Sequence, residues 1–276
     1  MEYLEFHSGK AGDKIFVTPE QARSMVTPNT LLIILDTHSF GFLEDKEVYQ
    51  KCKNIVVIDH HRMNVEKISN TLIFFHEPFA SSTCEMVTEM VQYMNDRYVK
   101  NYEADALLAG IMLDTKNFSL KTGMRTFEAA AYLKKKGADV GEVKRMFANS
   151  LDSYKLRYKI IEKSRIIGNC AVVAVDFEDQ NLRLACAQAA DELLNIKNVK
   201  ASFVLFQNDG IINISSRSMG DINVQVIMEK FGGGGHQTMA AAQVNDGSSL
   251  DEVKQKLIEL IDEIHPNAEI KERMEK

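Results

Sequence analysis

The sequence predicts an α/β protein, a parallel-sheet domain followed by a smaller α/β domain, and three observations carry that prediction. Asn54-Ile-Val-Val-Ile-Asp-His-His61 is a continuous apolar run ending in one carboxylate and two imidazoles. Such a run reads as a parallel strand covered on both faces, and open α/β sheets place their sites at the carboxyl ends of such strands. Leu31-Leu32-Ile33-Ile34-Leu35 repeats the arrangement and ends at Asp36-Thr37-His38. The second half changes character, with Ser202–Phe206 and Ile211–Ser215 as strands joined by Asn208-Asp209-Gly210, a strong hairpin signal.

In chain order, Thr18-Pro19-Glu20-Gln21 has the cap, the N1 proline and the N3 amide of a capping box, so a short helix is expected through Ala22 to Val26. Pro28-Asn29 stops it before the first strand. After the second strand, Thr71–Phe75 reads as a third. Ser81-Ser82-Thr83 caps a helix that puts Met86, Met90, Val91 and Met94 on one face, a stripe read as core. Ala104 to Leu113 is helical and leads into Asp114-Thr115-Lys116-Asn117-Phe118. Thr126 to Lys136 is a further helix, closed by Gly137, with lysines in the last turn where cations suit the macrodipole. Ser150 to Arg165 is a charged helical stretch without Pro or Gly, which divides the chain into residues 1–149, a linker over 150–167, and residues 168–276. Beyond it come a strand over Ala171–Val175, a helix over Leu182–Leu194, the hairpin, and a helix from Asp221 as cap through Glu229. Phe231, the glycines Gly232 to Gly235, His236 and an alanine run follow. Leu250–Ile264 is a closing helix, and the remainder is a charged tail.

Composition limits the function classes. With 276 residues, 45% hydrophobic and 26% charged, the chain can bury a core in each of two domains. Cys52, Cys84, Cys170 and Cys186 form no CxxC pair, so they read as reduced small hydrophobes rather than a zinc ribbon or a disulfide frame. The apolar runs are too short for a membrane span, and residues 1–30 carry no signal-peptide pattern, so a cytoplasmic location is expected. A net charge of -6 argues against a broad nucleic-acid surface, so any phosphate must be held by a local site.

Asp36, His60 and Asp114 each follow an apolar segment of the first domain, so ligands from three elements can converge at one sheet edge. Each acid alone also reads as a helix cap. Oxygen-rich ligation with one imidazole suits Mn²⁺ or Mg²⁺ better than a thiolate-loving metal, and paired ions of that kind serve phosphoester hydrolysis. In the second half, four consecutive glycines cost roughly 0.5–1 kcal/mol each against alanine in regular structure, so a close approach by a ligand or backbone is expected there. A glycine loop can cradle phosphate, a flexible turn reads equally well, and Arg217 and His236 could clamp the same anion.

These residues resemble a known family. Asp36-Thr37-His38, Asp59-His60-His61 and Asp114-Thr115-Lys116 look like the second, third and fourth motifs of the DHH phosphoesterases. Arg217 and Gly232-Gly233-Gly234-Gly235-His236 look like the substrate-binding motif of the DHH-associated C-terminal domain. Within that superfamily, Glu77-Pro-Phe-Ala-Ser-Ser-Thr83, Ala109-Gly-Ile-Met-Leu-Asp-Thr-Lys-Asn-Phe118 and Arg217-Ser-Met-Gly-Asp-Ile-Asn-Val-Gln225 are most similar to membrane-tethered cyclic-di-AMP phosphodiesterases. The resemblance implies a parallel-sheet DHH domain, a smaller α/β associated domain, two Mn²⁺ ions in the intact site, a cyclic dinucleotide substrate opened to a linear one, and a homodimer. It further implies that Asp36 bridges the metals and shares the catalysis with His61, which faces the scissile phosphate. His60 and Asp114 would complete one metal shell, while Arg217, Gly232, Gly233, Gly234, Gly235 and His236 would hold the far phosphate or base.

The resemblance departs at the N-terminus, where the family carries an HxNPDxD motif that supplies a His and two Asp. His7 and Asp13 have the outer spacing, but Ala11 stands where the middle acid belongs and Asp13 lies only 23 residues before Asp36. The expectation is therefore an N-terminally truncated piece of a larger protein, tethered to a membrane through upstream segments. One metal would keep only its bridging carboxylate, cyclic-di-AMP hydrolysis by the chain alone would be poor or absent, and an apolar face would be exposed. Two other readings stay open: an oligoribonuclease or adenosine bisphosphate phosphatase of the same superfamily, and a non-catalytic nucleotide-binding module. A family II pyrophosphatase fits least, because the glycine-rich loop suits a larger substrate.

Overall fold

The structure is a computed structural model that describes residues 2–10, 15–63, 67–94 and 99–264. The chain divides into two compact units, Met1–Ala148 and Asn149–Lys276. Ala11 and Asp13, together with the charged tail, lie outside the described residues.

The first unit is built on a three-stranded parallel sheet in the order β1 (Leu31–Leu35), β2 (Asn54–Asp59), β3 (Ile73–His76). β2 lies in the middle and is buried along almost its whole length, as its unbroken apolar run requires. One sheet face packs Ile34, Ile55, Val57 and Ile68; the other packs Val56 and Ile58 on Ala80 and Met86. The surrounding helices are α1 (Glu2–Lys10), α2 (Pro19–Met25), α3 (Lys46–Lys51), α4 (Thr83–Tyr93), α5 (Asn101–Asp114), α6 (Met124–Lys135) and α7 (Val140–Met146). The capping box at Thr18 forms, with the Gln21 backbone N–H donating to Thr18 Oγ1 and Gln21 Oε1 accepting from the Thr18 N–H. Helices α5, α6 and α7 share a separate apolar cluster around Leu108, Ile111, Leu133 and Val143.

The second unit begins with α8 (Leu151–Glu162), which packs Ile160 against α9 (Leu182–Leu193). Its six-stranded mixed sheet runs β4 (Arg165–Ile167), β5 (Cys170–Val175), β6 (Ala201–Asn208), β7 (Ile211–Ser218), β9 (Met239–Val244), β8 (Gly234–His236). β6 and β7 form the expected hairpin, with left-handed Asp209 and Gly210 at the turn. Two cores sandwich this sheet. Phe203, Leu205, Ile212 and Ile214 face α10 (Val224–Glu229) and α11 (Leu250–Ile264), while Val173, Val204 and Phe206 face α9 and α8. The cysteines carry no disulfide; Cys52, Cys170 and Cys186 are buried. Among the described residues no helix is long and apolar enough to cross a membrane.

Several elements differ from the sequence reading. The methionine stripe of α4 is core only at Met86, because Met90 and Met94 are 37% and 67% exposed. Asn223 rather than Asp221 caps α10, its carboxamide oxygen accepting from Gln225 N–H two residues further along the chain. The helix ending the charged stretch stops at Glu162, since Arg165–Ile167 pairs antiparallel with β5. The alanine run after His236, left without an assignment by the sequence, is strand β9, which packs closely against the glycines of β8.

Candidate metal centre

The parallel register of β1 and β2, with Leu35 opposite Ile58, puts Asp36 and the Asp59-His60-His61 run at one sheet edge. Asp36 donates its N–H to Ile58 O at 3.0 Å and then turns off the strand with φ 64. That left-handed conformation is uncommon for a residue other than glycine and recurs where a site dictates the backbone. Thr83, the first residue of α4, donates its hydroxyl to Asp36 Oδ1 at 2.8 Å and fixes the carboxylate. Asp114 arrives from a different direction, as the last residue of α5. Behind it Lys116, Asn117 and Phe118 are all left-handed, and the buried Thr115 hydroxyl donates to Ile111 O while accepting from Phe118 N–H. This tight turn ends the helix and holds Asp114 at its tip.

The three elements converge on His60. Its Nε2 lies 3.6 Å from Asp36 Oδ1 and 3.7 Å from Asp114 Oδ2. These gaps are too long for hydrogen bonds, yet they match two ligand atoms about 2.0–2.2 Å from a shared ion. The His60 ring is also set for ligation. Nδ1 faces Ala80 O at 3.2 Å, and a carbonyl can only accept, so the proton sits on Nδ1 and Nε2 presents its lone pair to the acids. Burial and the nearby Asp36 carboxylate push the Asp114 carboxyl up from the ordinary range, which is the condition a cation relieves. The donor chemistry therefore fits a hard or borderline divalent cation.

His61 lies in the same cluster, since it, Asp36 and His60 offer ligand atoms within 4.8 Å of one another. Its situation is different, because Nδ1 is held by Asp59 Oδ1 at 2.7 Å, and its backbone N–H reaches the same oxygen at 3.1 Å. That hydrogen bond, outweighing burial and assisted by the charges of Asp59, Asp36 and Asp114, pushes the imidazole pKa up. Asp59 itself is fully buried, which by itself raises its carboxyl. The hydrogen bonds from His61 and His38 outweigh that penalty and hold it well below the carboxylate range. His38, 3% exposed, donates Nδ1 to the second Asp59 oxygen, and His76 Nε2 donates to His61 O at 2.5 Å. A buried carboxylate thus joins two imidazoles just behind the sheet edge.

In the second unit, Arg217 lies on β7 and is 9% exposed. Its Nη1 donates to Ser216 O at 2.9 Å, and Nε lies 3.3 Å from Asp191 Oδ1 without an aligned hydrogen bond. Arg217, Met239 and His236 occupy one register row across β7, β9 and β8. Each glycine of the run has its own setting. Gly232 is left-handed, and the N–H groups of Gly232 and Gly233 close α10 onto Glu229 O and Met228 O. A Cβ on Gly233 would lie 2.2 Å from Ala241 O, and one on Gly235 would lie 2.5 Å from the Ala240 Cα. A Cβ on Gly234 would meet nothing within 4 Å.

Sequence reasoning named Asp36, His60, His61 and Asp114, and the structure brings all four together. It did not find Thr83 as the residue that fixes Asp36, or His38 as the second partner of Asp59. Thr83 reads only as part of a helix cap in sequence, and the His38–Asp59 contact spans 21 positions with no local signal.

A parallel sheet with acids and imidazoles at its carboxyl edge, followed by a separate mixed-sheet unit carrying an arginine and a glycine strand, defines a DHH-type architecture. The chain belongs to the DHH family: residues 2–111 match the DHH family, N-terminal domain, and residues 168–263 match the DHHA1 domain. It is 45% identical over 248 residues to the cyclic-di-AMP phosphodiesterase GdpP of Geobacillus thermodenitrificans, an overlap covering 89% of this chain. It is 42% identical over 252 residues to the cyclic-di-AMP phosphodiesterase PdeA of Listeria monocytogenes, covering 90% of this chain. The chain spans 38% of the length of each of these relatives. An exopolyphosphatase-related protein from Bacteroides fragilis shares the fold, with a TM-score of 0.77, 20% identity, and coverage of 96% of this chain and 81% of that one.

Proposed function

We propose that this chain is the catalytic and substrate-holding part of a metal-dependent phosphodiesterase that opens cyclic-di-AMP to the linear dinucleotide. The observation that carries the reading is the convergence of Asp36, Asp114 and a correctly tautomerised His60 beside a His61 whose proton is held by buried Asp59. The similarity to two cyclic-di-AMP phosphodiesterases supports the choice of substrate.

Asp36, His60 and Asp114 would hold the cation, with Mn²⁺ the ion expected from the donor set. A divalent ion bound there supplies Lewis-acid polarisation of a phosphoryl oxygen. The remaining chemistry belongs to the chain. Thr83 keeps Asp36 aimed at the site, and Ala80 O keeps the proton of His60 on the far nitrogen. His61, with its pKa raised by Asp59, donates a hydrogen bond to charge building on the phosphate. Arg217, Gly232 to Gly235 and His236 would hold the far phosphate or base of the dinucleotide. The first unit would serve as the catalytic domain and the second, which includes residues 150–167, as the substrate-binding domain.

The donor set found among the described residues is short for two ions, so the 276-residue chain is expected to turn over slowly. The test incubates it with Mn²⁺ and, separately, cyclic-di-AMP, short RNA and adenosine 3′,5′-bisphosphate, beside the Geobacillus relative as standard. Slow, Mn²⁺-dependent release of linear dinucleotide, with the other substrates slower still, is the expected result. Faster cleavage of RNA or of the bisphosphate would overturn the choice of substrate.

A further inference from the structure

The second unit carries an open pocket of about 620 Å³ on the sheet face beside α9, lined among others by Arg183, Asn213, Ser215, Gly234, Ala241 and Gln243. β9 alternates strictly here, burying Ala240 and Ala242 while Ala241 and Gln243 face outward. Register puts Gln243 opposite Asn213 and Ala241 opposite Ser215 and Gly234. At about 3.4 Å per residue, Gln243 sits about 14 Å along the strand from the row of Arg217, Met239 and His236. Ser215, Ala241 and Gly234 lie about 7 Å from that row, so the pocket continues from it and Gln243 marks its far end.

Two features mark it as made for a flat polar ligand. The first is Gly234. Gly232 needs its left-handed backbone, and Gly233 and Gly235 need to lack a Cβ because β9 is too close. Gly234 has neither constraint, so the fold does not account for a glycine there, and the missing side chain leaves room over the pocket floor. The second is the carboxamide pair. Asn213 Nδ2 donates to Ile211 O at 3.1 Å, and because a carbonyl can only accept, this fixes which way the Asn213 amide faces. Asn213 Oδ1 then accepts from Gln243 Nε2 at 3.0 Å, which fixes the Gln243 amide in turn. Gln243 is left presenting an acceptor oxygen and a second N–H side by side at an exposed position.

An acceptor beside a donor in one plane is the complement of the N6 and N7 edge of adenine, and it mismatches the corresponding guanine edge, which presents two acceptors. Arg183, in the first turn of α9, supplies a guanidinium plane of the kind that stacks on bases. We propose that this pocket is an adenine-binding subsite, in which Gln243, oriented by Asn213, reads the base edge and Gly234 leaves the space the base occupies. The inference rests on the nucleotide substrate proposed above and adds the residues that select the base.

The test measures binding of 5′-AMP and 5′-GMP to the full chain by calorimetry in EDTA, for the wild type, Gly234→Val and Gln243→Leu, with a melting curve for each. Wild type is expected to prefer AMP. Gly234→Val should melt at or above the wild-type temperature, since valine suits an edge strand better than glycine, and Gln243→Leu should melt close to it, since the bond it loses is exposed. Both should bind AMP at least tenfold more weakly, and Gln243→Leu should lose the preference over GMP. Absence of AMP binding by the wild type, or variant affinities within twofold of it, would overturn the subsite. The phosphodiesterase reading fails separately: AMP binding with the predicted variant losses but no Mn²⁺-dependent cleavage of cyclic-di-AMP would remove that reading and leave the subsite standing.

Discussion

The sheets of the two units are packed in opposite ways. In the second unit, large apolar side chains cover the central strands on both faces, and Phe203, Val204, Leu205, Ile212 and Ile214 are at most 2% exposed. In the first unit, only β2 is enclosed. Leu31, Ile33 and Leu35 of β1 remain 52, 51 and 48% exposed. Beside its apolar clusters the first unit buries charged and titratable groups: His38, Asp59 and Glu85, with Ser82 and Thr115, are all under 4% exposed. Buried polar groups are tolerated when each is hydrogen-bonded, and here the bonds converge on the edge where Asp36, His60 and Asp114 meet. The comparison teaches a division of labour, in which the second unit is built for rigidity and the first for chemistry.

The largest test of that division is Phe203→Ala. Emptying a fully buried phenylalanine site should cost the second unit about 3–5 kcal/mol, read by urea denaturation, while Mn²⁺ affinity stays at the wild-type value. A parallel loss of Mn²⁺ affinity in the folded protein would break the comparison. A smaller effect is expected behind the metal centre. His38→Ala removes the partner of one Asp59 oxygen and loosens the hold on His61, and outer partners of this kind change metal affinity or activity by about 10–100-fold. His38→Asn, which keeps a donor, should recover part of the loss, whereas equal loss in both variants would show that the ring acts only by packing.

The smallest effect is a pH dependence. Asp59 has a depressed folded-state pKa, so its contribution is present above the ordinary carboxylate value of about 3.9 and is lost as pH falls through the depressed value. His61 has a raised one, so its contribution is present below about 6.5 and is lost as pH rises through the raised value. The difference in melting temperature between wild type and Asp59→Asn should therefore be greatest between about pH 4 and 6.5 and shrink on both sides. A difference constant across that range would contradict the coupling.

Much of this was legible in the sequence where one local pattern decides the outcome. The apolar run into Asp59, the capping box at Thr18 and the Asn208-Asp209-Gly210 turn each carry their own instruction. The clustering of Asp36, His60 and Asp114 was legible for the same reason, because Asp36 and His60 directly follow their strands and Asp114 ends α5. The failures came where a distant partner decides. The alanine run had no assignment in the sequence, and Met239–Val244 forms a strand beside a glycine strand so close that Ala240 lies 2.5 Å from where a Cβ on Gly235 would be. Asp59 was legible only as the first residue of the Asp-His-His motif, and its role as an acceptor shared by two histidines depends on His38, twenty-one residues away. In the glycine run, the N–H groups of Gly232 and Gly233 close α10 and the missing side chains of Gly233 and Gly235 make room for β9, contacts that no local pattern announces.

The most direct measurement is a Mn²⁺ titration of the chain, followed by the paramagnetic signal of unbound ion, for wild type and His60→Ala with a melting curve for each. The account predicts saturable binding by wild type, its loss in His60→Ala, and nearly equal melting temperatures, because the His60 side chain sits at the sheet edge outside the apolar cores. Equal Mn²⁺ affinity in the two proteins would contradict it and move the metal away from Asp36, His60 and Asp114.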